Sequence, residues 1–312
     1  MPRHPIRFGV CLPQHGSTWD DAVKVAQACD RLGYDSVWAV DHFFGIPDAT
    51  QPIHEGWTEI TALAALTKRV RLGHLVLCVS YRHPAVLAKM AATLDHVSNG
   101  RFILGMGAGW HQQEYAAYGL PFPSIGTRLK ELDESLTILR KMWTEEPATF
   151  FGEQFHIEDA WCRPRPVQEP HPPILVGGTG ERVLLRIVAE HANVWNNLGW
   201  AHRDLAKKLD VLRAHCDHVK RDFDSIEISQ QTLGAIAETE AEAQRATEAI
   251  CAELPFLSGG GDLNITGTPE QCIERIRKSV AMGATSFVIS FGRNPRIETL
   301  ELFAERVMPA FR

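Results

Sequence analysis

Hydrophobic and polar positions along the chain follow two periods that replace one another in turn. Short, nearly continuous apolar runs alternate with longer stretches in which apolar residues recur every three or four positions. Such short runs are typical of parallel strands covered on both faces. Eight strands are predicted, at Arg7–Leu12, Ser36–Val40, Val70–Val79, Phe102–Met106, Pro173–Val176, Val194–Asn196, Ile226–Thr232 and Ser286–Phe291.

The longer stretches predict amphipathic helices between these strands. The first follows Ser17-Thr18, a favourable N-cap pair, and ends at Gly33, while another begins with Pro84 at its first position. The predicted helices are Trp19–Leu32, Thr58–Leu66, Pro84–Val97, Thr127–Trp143, Glu181–Glu190, Arg203–Val219, Glu240–Glu253, Pro269–Ala281 and Arg296–Val307.

Strands that alternate with helices predict a parallel sheet, and eight such units favour a single closed (β/α)8 TIM barrel over residues 1–312. An open doubly wound sheet is the alternative, but Cys11–Ser17 lacks the GxGxxG pattern expected after its first strand. Two insertions flank the helix after strand four, at Trp110–Gly126 and Pro147–Pro173, the latter with a hairpin-like patch. The glycine-rich stretch Leu254–Gly267 predicts a mobile flap before the last βα units.

Charge and cysteine usage narrow the class of protein. The 32 Lys and Arg against 38 Asp and Glu give a net charge of −6, which argues against nucleic acid and anionic membranes as partners. The chain shows neither a signal-peptide core nor an apolar stretch long enough for a membrane span. Its seven scattered cysteines are typical of free thiols, so we expect a cytoplasmic protein.

Candidate chemistry lies just after the strands, because barrel enzymes place their sites at the carboxyl ends of the strands. Gly177-Gly178-Thr179-Gly180 precedes a predicted helix and indicates a phosphate cradle, or else a simple tight turn. Asp41-His42 could donate a proton or merely anchor its loop. The glycines of Leu104–Trp110 leave room for a flat ligand, or for close strand packing.

Other reactive groups have simpler interpretations. Cys78 has no partner histidine implied by spacing and is predicted to be an inert buried thiol. The group His215–His218 falls on the solvated face of a helix, and the chain has no HxH or HExxH, so no metal site is predicted. A glycine-lined aromatic slot without a nucleophile indicates that the chemistry belongs to a flat, phosphorylated cofactor.

These segments resemble the luciferase-like monooxygenase superfamily, within it the coenzyme F420-dependent oxidoreductase branch. The resemblance rests on RFGVCLPQ from Arg7, LGYDSVWAVDHF from Leu32, the run from Val70 to Tyr118, and GTPEQCIERIRKSVA from Gly267. It spans nearly the whole chain and implies a (β/α)8 barrel that forms homodimers.

The resemblance also implies roles for individual residues. His42 would be the proton donor or ring partner, and Asp41 would contact the deazaflavin head. Val76, Leu77 and Cys78 would back the ring, where the family carries a bulge or a non-proline cis peptide. The remaining cofactor-binding residues would be Ala108, Gly109, Gln113, Gly177, Gly178, Gly180 and Glu181.

The chain departs from the sugar-phosphate dehydrogenases of this branch at two places. Trp110 stands where they have a catalytic glutamate, and Gly45-Ile46 stand where they have a tryptophan. We therefore expect a small, apolar or aromatic organic substrate, between walls formed by Phe43, Phe44, Trp57 and Trp110.

The expected reaction is hydride transfer between F420 and a C=C, C=N or C=O group, or its reverse. An FMN-dependent monooxygenase that uses dioxygen and a separate reductase is the second possibility, and a non-catalytic flavin-binding barrel is the third. The anionic tail of F420 also requires a basic patch, for which the candidates are Arg82, Arg182, Arg186 and Arg293.

Overall fold

Residues 4–312 are described by a computed structural model of the chain. The strands are β1 Arg7–Cys11, β2 Ser36–Ala39, β3 Arg71–His74, β4 Leu77–Cys78, β5 Phe102–Gly107, β6 Ala148–Phe151, β7 His156–Ala160, β8 Ile174–Gly177, β9 Val194–Asn197, β10 Glu227–Ile236, β11 Ile265–Gly267 and β12 Ser286–Ser290. The α-helices are α1 Trp19–Leu32, α2 Gly56–Leu66, α3 Pro84–Ser98, α4 Gln112–Ala117, α5 Ile125–Thr144, α6 Leu184–His191, α7 Leu205–His218, α8 Glu240–Glu253, α9 Pro269–Ala281 and α10 Ile297–Arg306.

Eight parallel strands close into a barrel, in the order β1, β2, β3, β5, β8, β9, β10 and β12, with β12 paired to β1. This confirms the predicted (β/α)8 architecture. Most helices pack their apolar faces on the outside of the barrel and form the main core. A smaller apolar cluster fills the inside, with Trp38, Leu75, Ile103, Leu175, Val194 and Val288.

Local sequence signals set several helix ends. Thr18 and Asp21 form a capping box at the start of α1, and Gly33 ends the helix with a φ of 80°. Pro84 opens α3, and Asn99 closes it in the left-handed region with a φ of 54°. These ends agree with the boundaries that the sequence predicts.

The structure adds detail to three predicted segments. Helix α6 begins at Leu184 rather than Glu181, because residues 181–183 form a turn before it. The hairpin-like patch is the antiparallel pair β6–β7. The predicted flap contains a 3₁₀ segment, Ser258–Leu263, and β11, and Leu254 and Leu257 pack on Leu233. Its mobility stays a prediction.

The predicted strand Val70–Val79 is interrupted, and β3 and β4 are its two parts. Gly73 pairs with Ile103 of β5, whereas Leu77 pairs with Met106, so the segment between them holds one residue more than its partner strand. This is a bulge, and the peptide bond between Leu75 and Val76 within it is cis. The expected irregularity at this place is confirmed.

Neighbouring glycines make room for the bulge. A Cβ on Gly105 would lie 1.8 Å from the carbonyl oxygen of His74, and one on Gly107 would lie 2.6 Å from Cγ2 of Val76. A Cβ on Gly177 would also crowd Val76, at 2.9 Å. The space that the sequence analysis left for a flat ligand at Gly105 and Gly107 is therefore occupied by the protein's own bulge.

This packing predicts that Gly105→Ala destabilises the protein, because the new methyl group would meet backbone rather than a flexible side chain. We expect the free energy of unfolding in urea to fall by roughly 3 kcal/mol. Gly126→Ala in the first turn of α5 is the matched control, since its Cβ would meet only Ser124 Oγ at 3.7 Å. Equal stability of both variants would contradict the described bulge.

Candidate active site

Asp41 lies at the carboxyl end of β2 and ties three segments together. Its carboxylate accepts a hydrogen bond from the Cys78 amide at 2.8 Å and two from the Arg82 guanidinium at 2.9 Å. Arg82 also pairs with Glu55, whose carboxylate caps the start of α2. Asp41 is only 4% exposed, so its main role in the structure is to hold the segment that follows the bulge.

Arg82 is consequently engaged inside the protein rather than free for an anionic tail. Arg186 is likewise paired, with Asp133 at 2.8 Å and Glu190 at 2.7 Å. Arg293 donates to Gln51 Oε1 at 2.6 Å, while its Nε is buried without a partner among the described residues.

Glu114 of α4 is the central carboxylate of the site, and sequence reasoning missed it. It is 0% exposed, and its Oε2 lies 2.7 Å from His42 Nδ1 and accepts from Tyr81 Oη at 3.1 Å. Its Oε1 accepts from the amide of Phe43 at 2.7 Å. One buried side chain thus fixes the ring of His42 and the backbone that follows it.

These donors determine the ionisation of Glu114. Burial alone would raise its pKa, but the hydrogen bond and the charge of His42, with the donors Phe43 and Tyr81, outweigh burial and lower the pKa to about 2. Glu114 is therefore a carboxylate at neutral pH. Because a carboxylate can only accept, His42 carries a proton on Nδ1 and turns Nε2 outward from this pair.

Aromatic rings surround His42 on several sides. The ring of Trp110 lies 5.8 Å from it and that of His111 lies 6.0 Å away, both edge to face. Phe43 packs between Tyr81 and Tyr118, each 4.5 Å away, and Phe44 contacts His111. The indole of Trp110 is 64% exposed, so part of this aromatic wall faces solvent.

Trp57 does not join that wall. Its indole is 8% exposed, stacks on His74 with ring centres 5.3 Å apart, and packs against Phe102 in the main core. The physical reason is its place in the first turn of α2, which turns the side chain toward the core between helix and barrel.

The segment around Cys78 is buried against α4. Cys78 Sγ lies 2.8 Å from Tyr115 Oη, and burial raises the pKa of the thiol to about 11. Leu77 is fully buried, whereas Val76 is half-buried at the strand ends. The thiol is thus unreactive and serves only as a buried surface. Of Val76, Leu77 and Cys78, Val76 is the residue that is partly accessible.

The turn after β5 mainly allows α4 to pack close to the Cys78 segment. Gly109 has a φ of 72°, and a Cβ there would lie 2.3 Å from Tyr115 Oη. The carbonyl of Ala108 accepts from Arg128 Nε at 3.1 Å, and Gln113 is exposed. Gly109 allows Tyr115 to reach Cys78, and a cofactor-binding role of these three residues stays a prediction.

The turn after β8 has the features of an anion site, with one opposing charge. Within the described residues, the amides of Thr179, Gly180 and Glu181 donate to no acceptor. Lys208 donates to the Thr179 carbonyl at 2.8 Å and pairs with Glu181 at 3.3 Å. Glu181 therefore anchors the turn to α7 and is not itself suited to hold a phosphate.

A polar group without a partner lies nearby at the end of β9. Asn196 donates to Ser229 Oγ at 3.0 Å, but its Oδ1 is buried and has no hydrogen-bond partner in the described part of the chain. Asn196 pairs in register with Gly177, next to the side chain of Val76. An N–H group of a ligand could satisfy this oxygen.

His42, His111 and Glu114 also have the side-chain types of a metal site, and their ligand atoms lie within 4.8 Å of one another. Both oxygens of Glu114 are already used by donors from Phe43, His42 and Tyr81. A metal at this position would have to displace the hydrogen bond that orients His42. The geometry therefore favours an imidazole–carboxylate pair.

Comparisons with known proteins identify related chains. A family model described as luciferase-like monooxygenase matches residues 6–263. An F420-dependent glucose-6-phosphate dehydrogenase of Amycolatopsis mediterranei is 37% identical over 161 residues, which are 51% of this chain and 47% of that protein. The chain spans about half the length of the first curated relatives that it matches.

Other relatives extend over the whole chain. An FMNH(2)-dependent dimethylsulfone monooxygenase of Pseudomonas putida is 24% identical over 356 residues, covering 99% of this chain and 96% of that protein. The solved F420-dependent tetrahydromethanopterin reductase of Methanopyrus kandleri superposes with a TM-score of 0.83 at 20% identity, over 99% and 100% of the two chains. That last likeness is one of fold.

No helix among residues 4–312 has the length and apolar character of a membrane span.

The lowered pKa of Glu114 determines the direction in which stability changes with pH. Ionised Glu114 stabilises the fold above its ordinary value of 4.5, and this contribution is lost as the pH falls toward 2. Between pH 6 and pH 3.5 we expect the wild type to lose about 1 kcal/mol more unfolding free energy than Glu114→Gln. Urea unfolding at both pH values measures this.

Glu158→Gln is the matched control for that experiment, because Glu158 is an exposed residue of β7. It should keep the wild-type difference between the two pH values. If Glu114→Gln also kept it, Glu114 would not be the buried carboxylate described.

Proposed function

The chain belongs to the luciferase-like monooxygenase family, and we propose that it is an oxidoreductase that transfers hydride between coenzyme F420 and an apolar or aromatic organic substrate. The reaction is reduction of a C=C, C=N or C=O group, or the reverse oxidation. The observation that carries the proposal is the His42–Glu114 pair at the carboxyl ends of the strands, the end at which the half-buried Val76 also lies.

Several residues fit a flat phosphorylated cofactor. Val76 offers an apolar surface, the buried Oδ1 of Asn196 offers an acceptor for a ring N–H, and the amides of Thr179–Glu181 offer donors to a phosphate. When bound, the reduced deazaflavin supplies hydride. The role of the protein is then to exclude water, orient the ring and move one proton.

His42 is the group that moves this proton. With Nδ1 held by Glu114, its Nε2 gives a proton to the substrate in reduction and takes it back in oxidation. The adjacent carboxylate fixes the orientation of the imidazole. Cys78 takes no part, because its raised thiol pKa leaves it protonated.

The substrate class follows from the side chains around His42. Phe44 and Trp110 both pack against His111, and Trp110 also borders His42, while Phe43 lies between Tyr81 and Tyr118. By the resemblance, Trp110 stands where sugar-phosphate oxidation would use an acid. Such a surface favours a largely apolar substrate. Trp57, in the core, does not contribute to it.

FMN-dependent oxygenation is the second candidate function. It is favoured by the whole-length similarity to the dimethylsulfone monooxygenase, and an isoalloxazine ring has the same edge groups for Asn196 and the same apolar face for Val76.

We extend the proposal to a cytoplasmic enzyme, because all seven cysteines are free. A homodimer is inferred from the resemblance alone.

Direct titration separates the two cofactors. We expect oxidised F420 fluorescence to be quenched on addition of the protein, with a dissociation constant at least tenfold below that of FMN. A Val76→Gly variant should weaken binding, because it removes the apolar surface of the bulge. Tight FMN binding without F420 binding would replace the first function by the second.

His42→Asn should leave the dissociation constant of the cofactor within a few-fold of wild type. It should lower turnover of any accepted substrate by roughly 10² to 10⁴-fold, the usual share of general acid–base catalysis. Stopped-flow absorbance of the deazaflavin measures the hydride step. Wild-type turnover in this variant would remove His42 from the mechanism.

A further inference from the structure

A second imidazole, that of His15, lies beside His42 at the same end of the barrel. His15 follows β1, and the centres of the two rings are 6.2 Å apart. The side chain is half-buried, so it belongs to the wall of the site rather than to the outer surface. Neither the roles considered above nor the resemblance uses this residue.

The tautomer of His15 is fixed by a hydrogen bond from a backbone amide. The amide of Ile46 donates to Nδ1 of His15 at 3.3 Å. A backbone N–H can only donate, so Nδ1 must be the unprotonated nitrogen and the ring proton lies on Nε2. The loop that carries Ile46 thus presents His15 as a donor.

The surroundings of His15 also keep its ring neutral. Burial lowers its pKa to about 4, and the nearby positive charges of His42 and Arg293 act in the same direction, while Glu114 opposes them. At neutral pH the ring therefore has one proton, on Nε2, and carries no charge.

His42 is anchored in the opposite sense. Its Nδ1 faces the carboxylate of Glu114, which can only accept, so Nε2 is the nitrogen that takes up or releases a proton. No protein group among residues 4–312 hydrogen-bonds to Nε2 of either ring. The two histidines thus have complementary free nitrogens, one a fixed donor and one a proton carrier.

We propose that His15 is a substrate-binding residue whose Nε2–H donates to an oxygen of the substrate, while His42 exchanges a proton with the same oxygen. This rests on the proposed function and deepens it, because it selects a carbonyl, or the corresponding alcohol, over an isolated C=C bond. A C=C bond offers no acceptor for the donor.

The reaction balances with these groups. In the reductive direction a hydride from the reduced cofactor would form the new C–H bond, and the π electron pair would move to the oxygen, which would take the proton from His42 Nε2. The product would be the alcohol, with the cofactor oxidised by two electrons and His42 left neutral. His15 keeps its proton and stabilises the growing negative charge on oxygen.

Nuclear magnetic resonance of histidine-labelled protein tests the protonation states without turnover. The ring nitrogens are assigned by comparison with His15→Phe and His42→Asn. Between pH 6 and pH 8 we expect His15 as the neutral Nε2–H tautomer and His42 with a proton on Nδ1. A charged His15, or a proton on its Nδ1, overturns the proposal.

Binding of two matched probes tests recognition. Acetophenone and α-methylstyrene have the same skeleton and differ in C=O against C=CH2. In protein saturated with oxidised cofactor, we expect the ketone to bind roughly tenfold more tightly, the size of one hydrogen bond. His15→Phe should abolish this preference, and His15→Gln, which keeps a donor near the position of Nε2, should retain part of it.

Equal binding of the two probes by the wild type, absence of binding, or an unchanged preference in His15→Phe contradicts the proposal. Circular dichroism of each variant excludes misfolding as the cause of a lost preference. Failure of the proposed function is a separate result, because it is read from cofactor titration, whereas the His15 tautomer is read in the protein alone.

Discussion

A carboxylate withdrawn from water must be matched by donors, and the mouth of this barrel is arranged around one such group. Glu114 receives the ring of His42, the backbone of Phe43 and the hydroxyl of Tyr81. These partners come from the loops after β2 and β4, while Glu114 comes from the insertion after β5. If any of them were removed, the buried charge would lose part of its compensation, so the three loops depend on one another.

The ion pair of Asp41 with Arg82 organises a second part of the barrel mouth, the segment around Cys78. It holds the Cys78 amide and thereby fixes the end of the bulge that contains Val76. The bulge in turn fills the space left by Gly105, Gly107 and Gly177. Adjacent residues of one short motif, Asp41 and His42, therefore have different surroundings: the first holds the Cys78 segment, and the second is oriented by Glu114.

The fold could be predicted from the sequence because its signals are periodic and repeated. Apolar strand runs and capping residues such as Thr18 and Gly33 place most elements within a few residues. The glycines of β5 left two interpretations open, because small residues at a strand end leave space and the pattern does not say whether a ligand or a neighbouring segment fills it. The structure shows close packing there, with the His74 carbonyl against Gly105 and Val76 against Gly107.

The site could be predicted only in part, for a related reason. His42 and the bulge lie next to recognisable motifs, whereas Glu114 is one acidic residue in a polar insertion, WHQQEYAAY, where a solvated glutamate is the ordinary expectation. Its place in AGWHQQEYAAY, a segment on which the resemblance rests, was the available signal. Trp57 was misplaced because aromatic residues of walls and of cores look alike until the helix direction is known.

His42 and His15, at the carboxyl ends of the strands, show how different hydrogen-bond partners fix different tautomers of the same side chain. His42 faces an acceptor and His15 faces a donor, so the same ring is set up to exchange a proton in one place and to keep it in the other. Under the proposed function, a hydride acceptor with a polar oxygen uses both actions, because its oxygen is held by one ring and protonated by the other.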